Sequence, residues 1–167
     1  MGQDDTKHNL LFISKYPQII HEFTDAMKDR DIEIETAING IEAAAKIKKK
    51  NYDIVITGLS LEGYNGEQII TYLNKTAPST VCIIYTTTIS SAQLHFFINE
   101  RNVFRVFLRP VDFRGAFWEA LEEAYEYHAV QVKNEEDTGA RRQEQEKQER
   151  EIEIMDQRMR SQRQARE

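Results

Sequence analysis

The side chains that could do chemistry in this sequence are scattered, and few stand at spacings that would bring reactive groups together. Asp4 and Asp5 are adjacent carboxylates, but they precede the first apolar run, so we expect a solvated terminus there. Glu62 is a single carboxylate in a loop, and Mg²⁺ requires several oxygen ligands. Cys82 is the only cysteine, and no metal-ligand spacing surrounds it. These residues predict no metal site, no cofactor and no enzymatic activity.

Histidines and one further aspartate give no better candidate. His21, His95 and His128 fall in predicted helices, where a surface histidine is the ordinary interpretation. Asp53 begins a predicted strand and is expected to be a polar residue at a strand start. No Gly-rich loop follows the first strand, which argues against a nucleotide-dependent enzyme of flavodoxin-like fold.

Composition limits the classes of protein further. The chain has 167 residues and a formal net charge of −6, which argues against a nucleic-acid-binding surface. The single cysteine is consistent with a reducing compartment. No apolar segment approaches the length needed to cross a membrane. We therefore expect a cytoplasmic protein that binds neither nucleic acid nor membrane.

Apolar runs and helical patterns alternate from residue 9 to about residue 132, which we predict to be one domain. Each run is followed by apolar residues spaced three and four apart, as on one face of a helix. Parallel strands need crossover helices, so five such units predict an α/β fold, a doubly wound parallel sheet. The common flavodoxin-like order for a (βα)5 sheet is 2-1-3-4-5. The predicted strands are Leu10–Ile13, Ile32–Thr36, Asp53–Thr57, Val81–Tyr85 and Val103–Leu108.

The ends of the chain differ from this domain. Residues 1–8 are polar and predicted to be flexible. Residues 133–167 are a charged helical segment, with a predicted break at 137–139 and a run of helix-forming residues from Ala140 to Glu167. Ile152, Met155 and Met159 have the spacing of a short coiled-coil seam. Two interpretations stay open for this segment: a dimerising coiled coil, and a solvated helix or disordered linker.

Four short motifs stand at or near the predicted strand ends. They are Leu11–Pro17, the stretch Tyr52–Gly66, the pair Thr86-Thr87 and the pair Arg109-Pro110. Their order and spacing resemble those of bacterial response-regulator receiver domains, the CheY-like domains of two-component signalling and the phosphorelay. The resemblance covers about residues 9–130. Residues 97–110 are similar to receivers fused to cyclic-dinucleotide phosphodiesterase and other output domains.

The resemblance also shows what this chain lacks. In a working receiver, an acidic pair and a phospho-acceptor aspartate hold Mg²⁺ and take up a phosphoryl group; their positions here hold Ser14, Lys15 and Gly58. Glycine cannot act as the nucleophile. Thr86 keeps the hydroxyl of the fourth-strand motif, and Arg109 replaces the lysine that pairs with the phosphoryl group by a planar cation. The resemblance therefore implies a degenerate phosphorylation pocket with no Mg²⁺.

Val106 occupies the position of the aromatic switch residue and has no ring to move on phosphorylation. The resemblance thus implies a pseudo-receiver that acts without phosphorylation, as a protein-interaction or homodimerisation module. Receivers commonly use the face of the fourth helix, fifth strand and fifth helix for such contacts. Since Leu94, Phe96 and Phe97 cannot all point inward, at least one should be exposed. The apolar residues expected on this interaction face are Leu94, Phe97, Phe104, Trp118 and Tyr125.

A second function from another class remains open. Lys15, Thr86 and Arg109 could bind a small anion or a nucleotide in the former phosphorylation pocket, which would make the protein a ligand sensor. Stabilisation of the protein by phosphates or nucleotides would favour this alternative over the interaction module.

Overall fold

The computed structural model describes the backbone of residues 8–166 and the side chains of residues 8–163. The N-terminal residues 1–7, predicted to be flexible, lie outside this range. Strands and helices alternate along the chain, and the five strands form one parallel sheet of order β2-β1-β3-β4-β5. The predicted flavodoxin-like fold is therefore confirmed. The elements are β1 His8–Ile13, α1 Pro17–Met27, β2 Ile32–Ala37, α2 Gly40–Lys49, β3 Ile54–Thr57, α3 Gly66–Thr76, β4 Val81–Thr86, α4 Ser91–Glu100, β5 Val103–Leu108 and α5 Ala116–Arg166.

The three inner strands are buried on both faces, as parallel strands covered by helices must be. Side chains alternate between two core clusters, so Leu10 and Phe12 belong to one cluster while Leu11 and Ile13 belong to the other. The first cluster is rich in aromatic rings, and the Phe12 ring stacks on that of Phe23 from α1 at 4.2 Å.

Several helices begin at residues that satisfy their free backbone N–H groups. The Asn65 side chain accepts from the Gln68 backbone, and the Gln68 side chain accepts from the Asn65 backbone, a capping box that starts α3. Ser90 and Gln93 repeat this arrangement at α4. Pro17 occupies the start of α1, where its missing N–H costs nothing.

The edge strand β2 is covered with charge. Glu33 and Glu35 both accept hydrogen bonds from the Lys50 ammonium, at 2.5 and 2.7 Å. These two hydrogen bonds raise the pKa of Lys50 above its usual range. Lysine and charged side chains on an edge oppose its pairing with a further strand.

The chain divides into two compact units, one ending at Ala129 and one beginning at Val130. The second unit is helical, and its described side chains after Val132 are exposed. The break predicted at 137–139 is wrong, because α5 continues through Gly139. A glycine in an exposed helix costs only about 1 kcal/mol relative to alanine, which the neighbouring helix formers can overcome. Within residues 8–166, no helix is long and apolar enough to cross a membrane.

The amino-terminal edge of the sheet carries a polar cluster that the sequence did not predict. His128 of α5 is only 17% exposed, and its Nε2 lies 3.1 Å from Asp53 Oδ1. The other ring nitrogen of His128, Nδ1, lies 2.9 Å from the Ser79 carbonyl oxygen. The Asn9 backbone N–H donates to Asp53 Oδ2 at 3.2 Å, and the Tyr125 hydroxyl donates to the Asn9 carbonyl. The prediction of a surface histidine at 128 is therefore wrong.

Asp53 is held ionised by its partners. Partial burial alone would raise the pKa of its carboxyl group. Hydrogen bonds from His128 and the Asn9 backbone, together with the charges of His128 and His8, outweigh that effect and lower the pKa below the usual value. A lowered pKa in the folded state means that ionisation of Asp53 stabilises the fold.

We predict that Asp53→Asn lowers the free energy of unfolding by about 1 kcal/mol at pH 6, since it removes a charged acceptor. The lowered pKa gives the sign of the pH dependence. The stabilisation is complete above the unfolded pKa of about 4 and is lost as the pH falls through the folded value. Urea unfolding of both proteins from pH 6 to pH 2.5 measures the difference. A gap that stays constant down to the lowest pH would contradict the assignment.

Candidate functional site

The loops that follow β1, β3, β4 and β5 surround a cavity of about 110 Å³ at the carboxyl edge of the sheet. All five residues predicted for the degenerate pocket line it. The ligands of sites in open α/β sheets also bind at this edge, beside the strand ends. The lining residues are Ser14, Lys15, Tyr16, Gly58, Leu59, Ser60, Tyr85, Thr86, Thr87 and Arg109.

Backbone hydrogen bonds hold the first residues after the strands in place. The Gly58 N–H donates to the Ile13 carbonyl at 3.1 Å, and the Arg109 N–H donates to the Thr86 carbonyl at 2.8 Å. Each bond continues the hydrogen-bonding pattern of the sheet one residue beyond the end of the paired strands. The cavity wall is therefore an extension of the sheet itself.

Gly40 and Gly66 permit close backbone contacts between loops, whereas the space beside Gly58 would admit a Cβ. A Cβ at Gly40 would lie 1.8 Å from the Tyr64 carbonyl oxygen, and a Cβ at Gly66 would lie 2.2 Å from the Gly58 carbonyl oxygen. A Cβ at Gly58 would meet only ordinary contacts, 3.7 Å from the Tyr85 carbonyl oxygen. The fold thus needs glycine at 40 and 66 but leaves room for a side chain at 58.

The two cations of the cavity share one aromatic ring. The Arg109 guanidinium lies 4.7 Å from the ring centre of Tyr16, and the Lys15 ammonium lies 5.3 Å from it. Arg109 also lies 6.0 Å from the ring centre of Tyr85. The Lys15 ammonium donates to Ser60 Oγ at 3.3 Å. Electron-rich ring faces attract cations within about 6 Å, so Tyr16 balances part of the positive charge.

Tyr16 was not among the site residues predicted from the sequence. The available signal was its place between Lys15 and Pro17, in the loop after the first strand. Burial raises the pKa of the neighbouring Tyr85 phenol above its usual value, although the charge of Arg109 opposes this effect. The Tyr85 phenol therefore faces Arg109 as a neutral ring.

The hydroxyl groups of Ser14, Ser60 and Thr86 are hydrogen-bonded within the protein. Ser14 Oγ accepts from the Tyr16 N–H at 3.2 Å, and Thr86 Oγ1 donates to the Thr88 carbonyl at 3.3 Å. None of the ten lining residues carries a carboxylate. The part of the chain that the structure describes also holds no group of three acidic, histidine or cysteine side chains arranged for a metal ion. The donor set does not fit Mg²⁺, which prefers carboxylate and water oxygens.

The predicted interaction face is only partly exposed. Phe97 and Tyr125 are 3% and 7% exposed, so their placement on that face is wrong. Leu94 is 40% exposed, which confirms that one apolar residue of α4 faces solvent. Trp118 is half-buried, and the Arg30 guanidinium lies 4.3 Å from its ring centre. Phe104 is half-buried and its ring centre lies 5.1 Å from that of Tyr127.

Val106 is half-buried in β5. The three residues predicted for the coiled-coil seam lie in α5, and their side chains are exposed. The exposed fractions are 65% for Ile152, 61% for Met155 and 55% for Met159.

Comparison with known proteins identifies the fold family. Residues 11–115 match the family model of the response regulator receiver domain. No curated protein matches the chain.

Many solved structures are similar to the chain. The signal receiver domain of an HD domain-containing protein from Pseudomonas fluorescens Pf-5 is 19% identical, with a TM-score of 0.70; the match covers 75% of this chain and 99% of that one. A CheY-like receiver domain protein from Methanospirillum hungatei JF-1 is 18% identical, with a TM-score of 0.68 and coverages of 75% and 99%. An adenylate cyclase from Rhodopirellula baltica is 19% identical, with a TM-score of 0.71 and coverages of 78% and 96%. At these identities the likeness concerns the fold.

We predict opposite outcomes for the same substitution at two glycines. Gly58→Ala should leave the free energy of unfolding within about 1 kcal/mol of the parent, because its Cβ fits without displacement. Gly40→Ala should cost about 2 kcal/mol or more, because its Cβ meets the Tyr64 backbone. Urea unfolding of the two variants tests this. Equal losses at both positions would show that residue 58 is glycine for reasons of packing.

Proposed function

Because the chain belongs to the response regulator receiver family, we propose that it is a pseudo-receiver: a signalling domain that acts through protein contacts without being phosphorylated. The first support is chemical. Phosphoryl transfer to a receiver needs a carboxylate nucleophile, and Gly58 stands at the end of β3 in its place. A charge-neutralising metal would need carboxylate oxygens, but the ten lining residues include no carboxylate and place the Lys15 ammonium in the cavity.

The room beside Gly58 strengthens this proposal. The fold leaves room there for the Cβ of a side chain, which would lie 3.7 Å or more from its nearest neighbours. The loss of the carboxylate is therefore not a demand of the fold. Tyr16, Lys15 and Arg109 form a cation–ring arrangement in which the positive charges no longer depend on an acidic partner. This arrangement is the single observation that carries the proposal.

Catalysis is not part of the proposed function. The polar side chains of the cavity are hydroxyls, phenols and two cations, and none of these ten described residues is a carboxylate or histidine that could serve as a base. The adenylate cyclase among the similar structures shares the fold with this chain at 19% identity. Fold alone does not transfer an activity.

The surface that supports protein contacts lies on α4, β5 and the first turns of α5. Its exposed apolar residues are Leu94, Ile98, Leu108 and Tyr127, which are 40%, 40%, 51% and 43% exposed. β5 is also an edge strand of the sheet. Apolar side chains grouped around an open edge are typical of an interaction site.

Charged groups accompany this apolar surface. The Arg105 guanidinium donates to Glu123 at 2.6 Å and lies 4.5 Å from the ring centre of Phe104. Apolar residues with a charged pair beside them match the usual anatomy of a protein interface, in which a polar rim surrounds an apolar centre. We propose that a second copy of the chain or another signalling protein binds here.

The anion sensor is the second candidate. The presence of Lys15 and Arg109 at one cavity favours it, since both cations could contact a phosphate. Their contacts with Tyr16 and Ser60 argue against it, because an anion would have to displace them. We therefore rank the interaction module first.

Incubation with acetyl phosphate and Mg²⁺ should add no phosphoryl mass to the protein, as measured by intact mass spectrometry. Gly58→Asp should also remain unmodified, because Ser14 and Lys15 still deny the metal its ligands. A stable adduct of one phosphoryl group on the parent would overturn the proposal. An adduct on Gly58→Asp alone would show that the rest of the pocket is still competent. A rise in melting temperature with inorganic phosphate in the same samples would favour the anion sensor.

Leu108→Asp should weaken self-association of the full chain, since it places a charge at the centre of the proposed face. Sedimentation velocity over a range of concentrations gives the change in dimer dissociation constant, which we expect to rise at least tenfold, about 1.4 kcal/mol. Ile41→Asp is the matched control, because Ile41 is 63% exposed on α2, outside this face. Equal effects of the two substitutions would remove the support for this surface.

A further inference from the structure

The second unit presents an apolar stripe on a mostly polar helix, in which the exposed Ile154 lies outside the stripe. Ile152, Met155 and Met159 follow one another at spacings of three and four residues, and each is more than half exposed. Gln162 continues the spacing by three. In heptad terms Ile152 and Met159 take position a, while Met155 and Gln162 take position d. A second helix is the partner that such a stripe fits.

The flanking charges oppose a parallel dimer in register. In such a dimer, each residue at position g meets the residue at position e five places later on the partner. The three pairs are Glu144 with Glu149, Glu151 with Asp156, and Arg158 with Arg163. All three pairs have like charge, and twofold symmetry doubles them to six repulsions. These like charges therefore disfavour the common parallel pairing along the whole seam.

Acidic and basic side chains also occupy different parts of the helix between residues 144 and 163. Residues 144–156 contain six acidic and two basic side chains, a net charge of −4. Residues 157–163 contain three arginines and no acidic residue, a net charge of +3. A second copy running in the opposite direction places each acidic part beside the basic part of its partner.

We propose that the helix at 144–163 pairs with a second copy of itself in antiparallel orientation, with Met155 of each chain beside Met159 of the other. This inference rests on the proposed role in self-association, and it gives the helix a contact of its own, separate from the face on α4, β5 and the first turns of α5. Ile152 then lies opposite Gln162, and the twofold axis crosses the seam at the level of residue 157. Such a contact uses the same patch on both chains and closes on itself.

The charges beside the seam fit this arrangement. In an antiparallel pair, positions e face each other across the seam, as do positions g. Glu149 meets Arg163 of the second copy, twice by symmetry. Asp156 meets its own equivalent near the axis, but within its own helix it is paired with Arg160 at 3.0 Å. Arg158 also meets its equivalent, so two repulsions stand against two attractions, compared with six repulsions and no attraction in the parallel form.

Reversing one charge should change the dimer dissociation constant in opposite directions for the two orientations, so it distinguishes them. Arg163→Glu places a second carboxylate opposite Glu149 in the antiparallel dimer, which should raise the dimer dissociation constant roughly tenfold. In a parallel dimer the same change pairs the new carboxylate with Arg158 and should strengthen association. Glu149→Arg should behave in the same way, since position 149 meets Arg163 in one orientation and Glu144 in the other. Sedimentation equilibrium of the full chain measures both variants.

Gln157→Glu is the matched control, because position 157 faces away from the seam and the substitution also adds a negative charge. It should leave the dissociation constant within about twofold of the parent. Stronger association of Arg163→Glu, or a parent that stays monomeric, would overturn the proposal. An unchanged constant for both seam variants, with Leu108→Asp still weakening association, would overturn the helix pairing alone and leave the proposed interaction face intact.

A distance measurement gives an independent readout. Gln143→Cys carries a spin label on the outer side of the helix. The native Cys82 does not compete for the label, because it is only 2% exposed and burial raises the pKa of its thiol to about 12. In the antiparallel dimer the two labels are about 28 residues apart along the axis, or about 42 Å at roughly 1.5 Å per residue. In a parallel dimer they stand at the same height. A short distance between labels would contradict the antiparallel pairing.

Discussion

Burial of β1, β3 and β4 on both faces is the constraint from which the rest of this structure follows. Strands of this kind expose no face to water, so helices must cover both sides, and the crossovers between parallel strands supply them. The carboxyl ends of the strands then meet at one edge of the sheet. The loops that follow the strands are forced together there, whatever residues they carry. The fold alone therefore produces a cavity at this edge, whatever the function of the protein.

That origin explains how the shape of the cavity can be independent of the side chains that line it. The hydrogen bonds that set its walls join backbone groups, such as the Gly58 N–H and the Ile13 carbonyl. The glycines that the fold does require, Gly40 and Gly66, serve contacts between loops. The side chains that face the cavity could therefore change without unfolding the protein. Tyr16 is one of these side chains, and it places an aromatic ring beside two cations.

The sequence predicted the sheet and its order because two-sided burial leaves a strong pattern of apolar runs. The resemblance to receiver domains placed the five residues of the cavity, and each one lies at or just after the end of a strand. The burial of single apolar residues on α4 and α5 was predicted less well. Apolar residues surround those helices, and Phe97 and Tyr125 were accordingly expected on the surface but are buried. The contact of His128 with Asp53 was missed for another reason: the two residues are far apart in the chain and meet only through the fold.

The two edges of the sheet differ in the side chains that they present. Lys50 binds Glu33 and Glu35 along β2, so that edge offers charge to a neighbour. β5 at the other edge carries the exposed Leu108 and lies beside α4, where Leu94 is exposed. The charged β2 edge therefore opposes the addition of a further strand, which the apolar β5 edge does not. Growth of the sheet from molecule to molecule is opposed at one of its two edges, which protects a domain built on a hydrophobic parallel sheet from forming fibres.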